Sequence, residues 1–181
     1  MKSGDDLRQE QFAMQMISFV QQIFLTSGKE TRKLWLRSYE IMASGPGCGI
    51  IEFLPDSLSI DYIKRKLSDR QAGTSLLHYF TTNFGPRGSK RFEVATKAFT
   101  YSLAAYSLVC YILQIKDRHN ANILIDPEGH MVHIDFGFLL TNYPGGIQFE
   151  KAPFKLTSEF VEVLGGENSA GFRRFRKYFI K

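Results

Sequence analysis

The sequence is poor in the residues that would lock a small fold covalently or break it into linkers: two cysteines, six prolines and one tryptophan in 181 residues. Two cysteines, Cys48 and Cys110, cannot make a disulfide scaffold and fit a reducing compartment. Both read as buried apolar fillers. The four histidines do not fall at metal-ligand spacing, which argues against a zinc site. There is no internal repeat and no low-complexity tract, so a solenoid or a disordered linker is excluded. Long hydrophobic runs are also missing. The longest, Leu103 to Ile115, is interrupted by Tyr106, Ser107, Tyr111 and Gln114 and is too short to span ~30 Å of hydrocarbon. Met1 to Gln21 is studded with polar residues and lacks the compact apolar centre of a secretory signal. Neither sign of charge dominates: 23 Lys plus Arg stand against 18 Asp plus Glu, a net +5 that mildly favours anionic partners and specifies none.

What is present suits one domain or a piece of a larger one, read as soluble. The chain is 44% hydrophobic and 14% aromatic. A globular chain of this length buries ~70% of its unfolded surface. Leu7, Met14, Ile17, Val20 and Phe24 recur near a 3.6 period, which predicts a helix over 6–24 capped by Asp5 or Asp6. Two short strands are expected in 34–54, joined at Ser44-Gly45-Pro46-Gly47 and stopped by Pro55. Helices are expected over 59–67 and 75–80, then a breaker-rich loop over 83–89, then a long helix over 92–115 with more than one apolar face. Ile123-Leu124-Ile125 and Met131 to Ile134 flank Pro127-Glu128-Gly129 and predict a hairpin. A segment from Leu156 to Leu164 ends at Gly165-Gly166, and a basic amphipathic segment runs from Phe172 to the end.

The chemistry concentrates around that hairpin. Lys116-Asp117-Arg118-His119-Asn120-Ala121-Asn122 precedes it, and Asp135-Phe136-Gly137 follows it. The hairpin brings Asn122 and Asp135 to one end. Their amide and carboxylate oxygens suit Mg²⁺, a hard cation that keeps waters for a phosphate ligand. Either Asp117 or His119 can take a proton from an attacking hydroxyl. Arg118 can fix a neighbouring carboxylate or phosphate. Phosphoryl transfer also needs a cation on the nucleotide, for which Lys2 is the candidate, with Glu10 as its partner. Taken singly, these are ordinary turn and cap residues. His130 reads as a hairpin residue and His133 as a structural strand histidine. The order and separation of the pieces carry the weight.

Asp117-Arg118-His119-Asn120-Ala121-Asn122-Ile123-Leu124, followed by His133-Ile134-Asp135-Phe136-Gly137-Phe138, resembles the catalytic and metal-binding loops of the phosphatidylinositol 3-/4-kinases. Its Asp-Arg-His order reverses that of the protein kinases. Lys2 to Glu10, Pro46 to Glu52, Phe154 to Thr157 and Val163 to Gly166 are similar to further segments of the family. Gln114 to Asn120 together with Phe136-Gly137-Phe138 is nearest the type III 4-kinases. The resemblance implies an α+β, protein-kinase-like bilobal fold, present in part. Residues 1–54 would be a remnant of the small lobe and hinge, and 55–181 part of a mostly helical large lobe with the catalytic and activation loops.

The resemblance also assigns roles. Lys2 would contact the ATP phosphates and Glu10 would organise the lysine region. Tyr39 and Ile51 would line the back of the adenine pocket, Glu52 and Leu54 would offer hinge hydrogen bonds, and Ile123, Leu124 and Ile134 would pack beneath the base. Asn122 and Asp135 would bind Mg²⁺, or Mn²⁺ in its place, and Asp117 and His119 would share the acid/base role beside Arg118. The implied partners are ATP, phosphatidylinositol and a membrane surface, not nucleic acid. The implied location is cytoplasmic, peripheral to intracellular membranes such as the Golgi or plasma membrane.

From Phe138 to Thr157 the only basic residues are Lys151 and Lys155, so the substrate loop suits a headgroup without extra phosphates. The chain starts at the nucleotide lysine and stops near the helix after Gly165-Gly166, so a partial domain is expected. Arg173, Arg174, Arg176 and Lys177 read as a solvated helix face. The competing functions are a phosphatidylinositol 3-kinase, a related Ser/Thr protein kinase, and a truncated relative without catalysis.

Overall fold

A computed structural model describes residues 2–4, 6–69, 75–140 and 152–180, with Lys2 and Ser3 placed by their main chain. Helix α1, Arg8–Thr26, buries Glu10, Ala13, Met14, Ile17 and Phe24, the spacing of one helical face. Its first amide is met by Asp6 Oδ1, 3.1 Å from the nitrogen of Arg8; Asp5 lies outside the described residues. The helix packs on a three-stranded antiparallel sheet of order β1-β3-β2, where β1 is Lys2–Ser3, β2 is Ile41–Gly45 and β3 is Cys48–Ile51. The strands expected in 34–54 are thus confined to residues 41–51. Thr31–Lys33 is a 3₁₀ turn, and Trp35 and Tyr39 precede the ladder rather than belonging to it. Gly49 is dictated by close approach: a Cβ there would lie 2.4 Å from the carbonyl oxygen of Met42 and 2.6 Å from Leu7 Cδ1.

Residues 52–57 run without regular structure into β4, Leu58–Ser59, which is antiparallel to β5, Ile123–Ile125; β5 pairs in turn with β6, Met131–His133. The helices of this half are α2 (Ile60–Asp69), α3 (Leu76–Phe84), α4 (Lys90–Leu113), α5 (Ser158–Val163) and α6 (Ala170–Ile180). Helix α3 continues past the expected 75–80 and absorbs Asn83 and Phe84 from the expected loop. Ser75, Ser89 and Thr157 each accept a backbone N–H at the start of α3, α4 and α5. Helix α4 is buried on several sides: Phe99, Leu103, Ala104, Ala105, Tyr106, Val109 and Cys110 are all essentially inaccessible. A helix that is apolar around most of its girth can only sit at the centre, and α3, α6 and β6 pack around it. Gly129, at φ +93, lets the hairpin turn close on α4, since a Cβ there would meet Ala95 Cβ at 2.9 Å. Of the two cysteines only Cys110 is buried; Cys48 is half-buried, 3.5 Å from Ser44 Oγ, because its strand lies on the outer sheet. Among the described residues no helix is long and apolar enough to cross a membrane.

Candidate active site

A cavity of about 580 Å³ opens between the small sheet with α1 and the β4-β5-β6 sheet. That is the size range of small-molecule sites. Glu10, Tyr39 and Ile51 line it from the small sheet and α1, and Glu52, Phe53 and Leu54 from the connecting segment. Ser57, Leu58, Ser59 and Tyr62 form one side, and Ala121, Leu124, Ile134 and Asp135 the floor. Tyr39, Ile51, Glu52, Leu54, Leu124 and Ile134, expected together from the sequence, therefore share one cavity with Glu10 and Asp135. Ile123 does not belong to it. The strand period of two turns Leu124 to the cavity and sends Ile123 and Ile125 into the core, both at 0% exposure. The ammonium of Lys2 and all of Lys151 lie outside what is described. Phe53, Ser57, Ser59, Tyr62 and Ala121 were not legible as lining residues, because single residues in loops carry no periodic signal.

Glu10 is 3% exposed, a buried carboxylate at the mouth of the small sheet. Tyr39 is also buried, and its hydroxyl finds no hydrogen-bond partner of normal geometry among the described residues. Burial, and then the charge of Glu10, push that hydroxyl far above its ordinary pKa, so it stays protonated.

Beneath the cavity, two loops are stitched into one unit by their main chains. The amide of Ile134 donates to the Asn122 carbonyl at 3.0 Å, so Asp135 is one residue beyond the pairing partner of Asn122. The amide of Lys116 donates to Phe138 O at 2.9 Å, and that of Leu140 to Leu113 O at 3.0 Å. Asn122 Nδ2 donates to Asp117 O at 3.0 Å, which leaves the side-chain oxygen for another ligand. Asn122 is buried, whereas Asp135 is exposed. An amide oxygen and a carboxylate are hard donors of the kind that fits Mg²⁺ or Mn²⁺.

Asp117 and His119 sit at the open side of this unit, with His119 Nε2 3.8 Å from Asp117 Oδ2. His119 Nδ1 accepts the Ala121 amide at 3.2 Å, which places the proton of the neutral ring on Nε2, toward the carboxylate. Asp117 and Asp135 both hold left-handed backbone, at φ +59 and +60. Aspartate tolerates that region better than most residues, at a cost of roughly 1 kcal/mol. Among the described residues Arg118 pairs with main-chain carbonyls rather than with the carboxylate its sequence-based reading allowed. It is 7% exposed, and its guanidinium donates to the carbonyls of Lys116 (2.9 Å), Ile134 (2.8 Å) and Asp135. Its plane lies 5.2 Å from the Phe136 ring centre.

His133 is indeed a structural histidine: buried, stacked on Tyr106 at 4.5 Å, with Nδ1 3.7 Å from Cys110 Sγ. Burial, then the charges of Arg118 and Lys155, hold it well below its ordinary pKa. The hairpin turn gathers Asp126, Glu128 and His130 within 4.8 Å, a grouping that the histidine spacing did not suggest. There Asp126 is occupied by the amides of Glu128 and His130 and by His130 Nδ1, and His130 stacks on Trp35 at 4.0 Å. Lys155, at the end of the segment that follows the second loop, donates to Asn120 Oδ1 at 2.8 Å.

Comparison with known sequences decides the assignment. The phosphatidylinositol 3- and 4-kinase family model matches residues 1–181. The chain belongs to that family. It is 52% identical over 181 residues to a phosphatidylinositol 4-kinase of Dictyostelium discoideum, covering 99% of this chain and 15% of that protein. It is 47% identical over 178 residues to phosphatidylinositol 4-kinase beta 1 of Arabidopsis thaliana, covering 98% of this chain and 15% of the relative. With phosphatidylinositol 4-kinase beta of Xenopus laevis it shares 44% identity over 180 residues, 99% of this chain and 21% of the relative. The chain thus spans about a fifth or less of the length of these relatives, and its mixed architecture of helices with small sheets is that of a protein-kinase-like fold.

Proposed function

We propose that this domain transfers the γ-phosphoryl group of ATP to the inositol 4-hydroxyl of phosphatidylinositol, giving phosphatidylinositol 4-phosphate. The observation that carries the reading is the single cavity in which Ile51, Glu52, Leu54, Leu124, Ile134 and Asp135 meet, with the Asp117–His119 pair on the loop bonded to its floor. Adenine would lie between Ile51 above and Leu124 and Ile134 below, its edge toward the main chain of Glu52 to Leu54. The triphosphate would run toward Asp135, with Lys2 supplying a cation to it and Glu10 as the partner of that lysine. Asn122 and Asp135 would hold the divalent cation, Mg²⁺ or Mn²⁺, which when bound neutralises phosphate charge and polarises the γ-phosphoryl group.

Asp117 would accept the hydroxyl proton as the inositol oxygen bonds to the γ-phosphorus and the bond to the β,γ-bridging oxygen breaks. His119 would steady the Asp117 carboxylate through Nε2–H. Such a site works by placement and charge more than by covalent chemistry. The 4-hydroxyl is supported by the names of the relatives. An unphosphorylated headgroup is supported by the scarcity of basic residues between Phe138 and Thr157. A lipid substrate implies work at a membrane surface, and we assign the protein to the cytoplasmic face of the Golgi or plasma membrane.

The test uses the whole protein with radiolabelled ATP, phosphatidylinositol vesicles and separation of product isomers. The 4-phosphate should form with Mg²⁺, and Asp135→Ala should abolish it. A 3-phosphate product would redirect the reading to a 3-kinase. Labelled peptide without labelled lipid would indicate a protein kinase, and no transfer with either metal a non-catalytic relative.

A further inference from the structure

We infer that Arg118 is a positioning residue that sets the main-chain geometry of Asp117 and Asp135 together, and through it the separation between the proton-accepting loop and the cation-holding loop. The inference rests on the phosphoryl-transfer reading above.

A guanidinium at 7% exposure is costly to bury, and Arg118 forms no ion pair among the described residues that would offset the cost. Burial accordingly presses its pKa downward, opposed by Cys110, Asp135 and Asp117. What the guanidinium gains instead is three carbonyls, and their identity is informative. Lys116 O belongs to the peptide unit entering Asp117, while Ile134 O and Asp135 O belong to the units on either side of Asp135. Both aspartates are left-handed, at φ +59 and +60, the two positions of the site where the backbone needs outside help to stay in place. One planar fork therefore fixes the peptide planes around both. The Phe136 ring, its centre 5.2 Å from the guanidinium carbon, packs on the face of the fork. An ammonium cannot replace this: it is a point donor on a flexible stem and cannot span three acceptors in fixed directions.

The consequence reaches the reaction through one other residue, Asn122. Asn122 is tied to the Asp117 carbonyl and to the Ile134 amide, so a shift of either loop also moves the cation donor set. A displacement of about 1 Å in such a site costs on the order of a hundredfold in rate.

The experiment compares the whole protein with its Arg118→Lys and Arg118→Gln variants; the second carries no charge to bury. Rates of lipid phosphorylation are measured against Mg²⁺ concentration and against ATP at saturating Mg²⁺, and thermal melting is measured with ADP alone and with ADP plus Mg²⁺. The expected result is a turnover loss of about a hundredfold, a several-fold rise in the Mg²⁺ needed for half-maximal rate, and an unchanged KM for ATP at saturating metal. The melting shift produced by ADP alone should persist, and the extra shift from Mg²⁺ should shrink. A purely structural role would move all these readouts together, and so would overturn the inference, as would failure of both variants to fold. Wild-type metal dependence and turnover in a folded variant would overturn it as well. If the wild-type protein phosphorylates no lipid, it is the kinase reading that falls.

Discussion

The 2.8 Å bond from Lys155 Nζ to Asn120 Oδ1 ties the end of the segment after the second loop to the 3₁₀ turn of the first. Lys155→Ala removes it. The segment should nonetheless stay docked, because Phe154 packs on Phe179 at 4.6 Å and on Phe175 at 6.5 Å, and Thr157 caps α5. The perturbation is therefore local. A hydrogen bond from a charged donor contributes about 1.5–3 kcal/mol when buried; both partners here are half-buried, so about 1.4 kcal/mol is a fair value, which corresponds to a factor of ~10. The part of the cavity proposed to take adenine, lined by Ile51, Leu124 and Ile134, is made of other residues. The variant should lose about tenfold in kcat/KM for phosphatidylinositol, while KM for ATP changes by less than about twofold. Initial rates in mixed micelles, varying lipid at saturating ATP and then ATP at saturating lipid, separate the two. An equal loss for both substrates, or none for lipid, would refute the substrate-side role of Lys155.

Gly49→Ala should lower the melting temperature of the domain by roughly 4–8 °C, since the new methyl meets an immovable carbonyl and overpacking costs about 2 kcal/mol. Because β3 carries Ile51, KM for ATP should rise; calorimetry and ATP titration check both, and an unshifted melt would show that the strand gives way freely. Buried His133 is held below its ordinary value near 6.5, so the unfolded chain binds the extra proton first as the pH falls. Stability should be full above that value and decline as the solution is acidified through it. His133→Phe, which keeps the stack on Tyr106, should flatten the melting temperature between about pH 6.5 and 5, and an equally steep profile in the variant would exclude His133 as the source.

The sequence made the helices legible because each shows its buried face at regular spacing: Ala13, Met14 and Ile17 in α1 and Phe99, Leu103 and Tyr106 in α4. The hairpin was legible because β-branched runs flank a tight turn. Strands β1 and β4 were not, since two residues hold no alternation and are defined only by their partners in β3 and β5. The cavity residues Tyr39, Ile51 and Leu54 came from family resemblance, as apolar side chains in a slot look like core from composition alone. Ile123 was misplaced for a related reason: strand register, not residue type, decides which of two neighbouring aliphatics faces a ligand. Arg118 defeated a side-chain reading altogether, because its acceptors are carbonyls, which every residue possesses. The Lys155–Asn120 contact spans 35 positions and leaves no local trace.

Strand β4 begins four residues after Leu54 and is laddered to the hairpin, Leu58 opposite Ile125 and Ser59 opposite Leu124. The side wall at Leu58 and Ser59 and the floor at Leu124 are consequently one hydrogen-bonded sheet. A bulky inhibitor cannot gain room by prising the two apart without breaking that ladder. Any widening has to come from the opposite side, where Ile51 and its three-stranded sheet form the roof, and substituents aimed upward should be tolerated where those aimed at the seam are not.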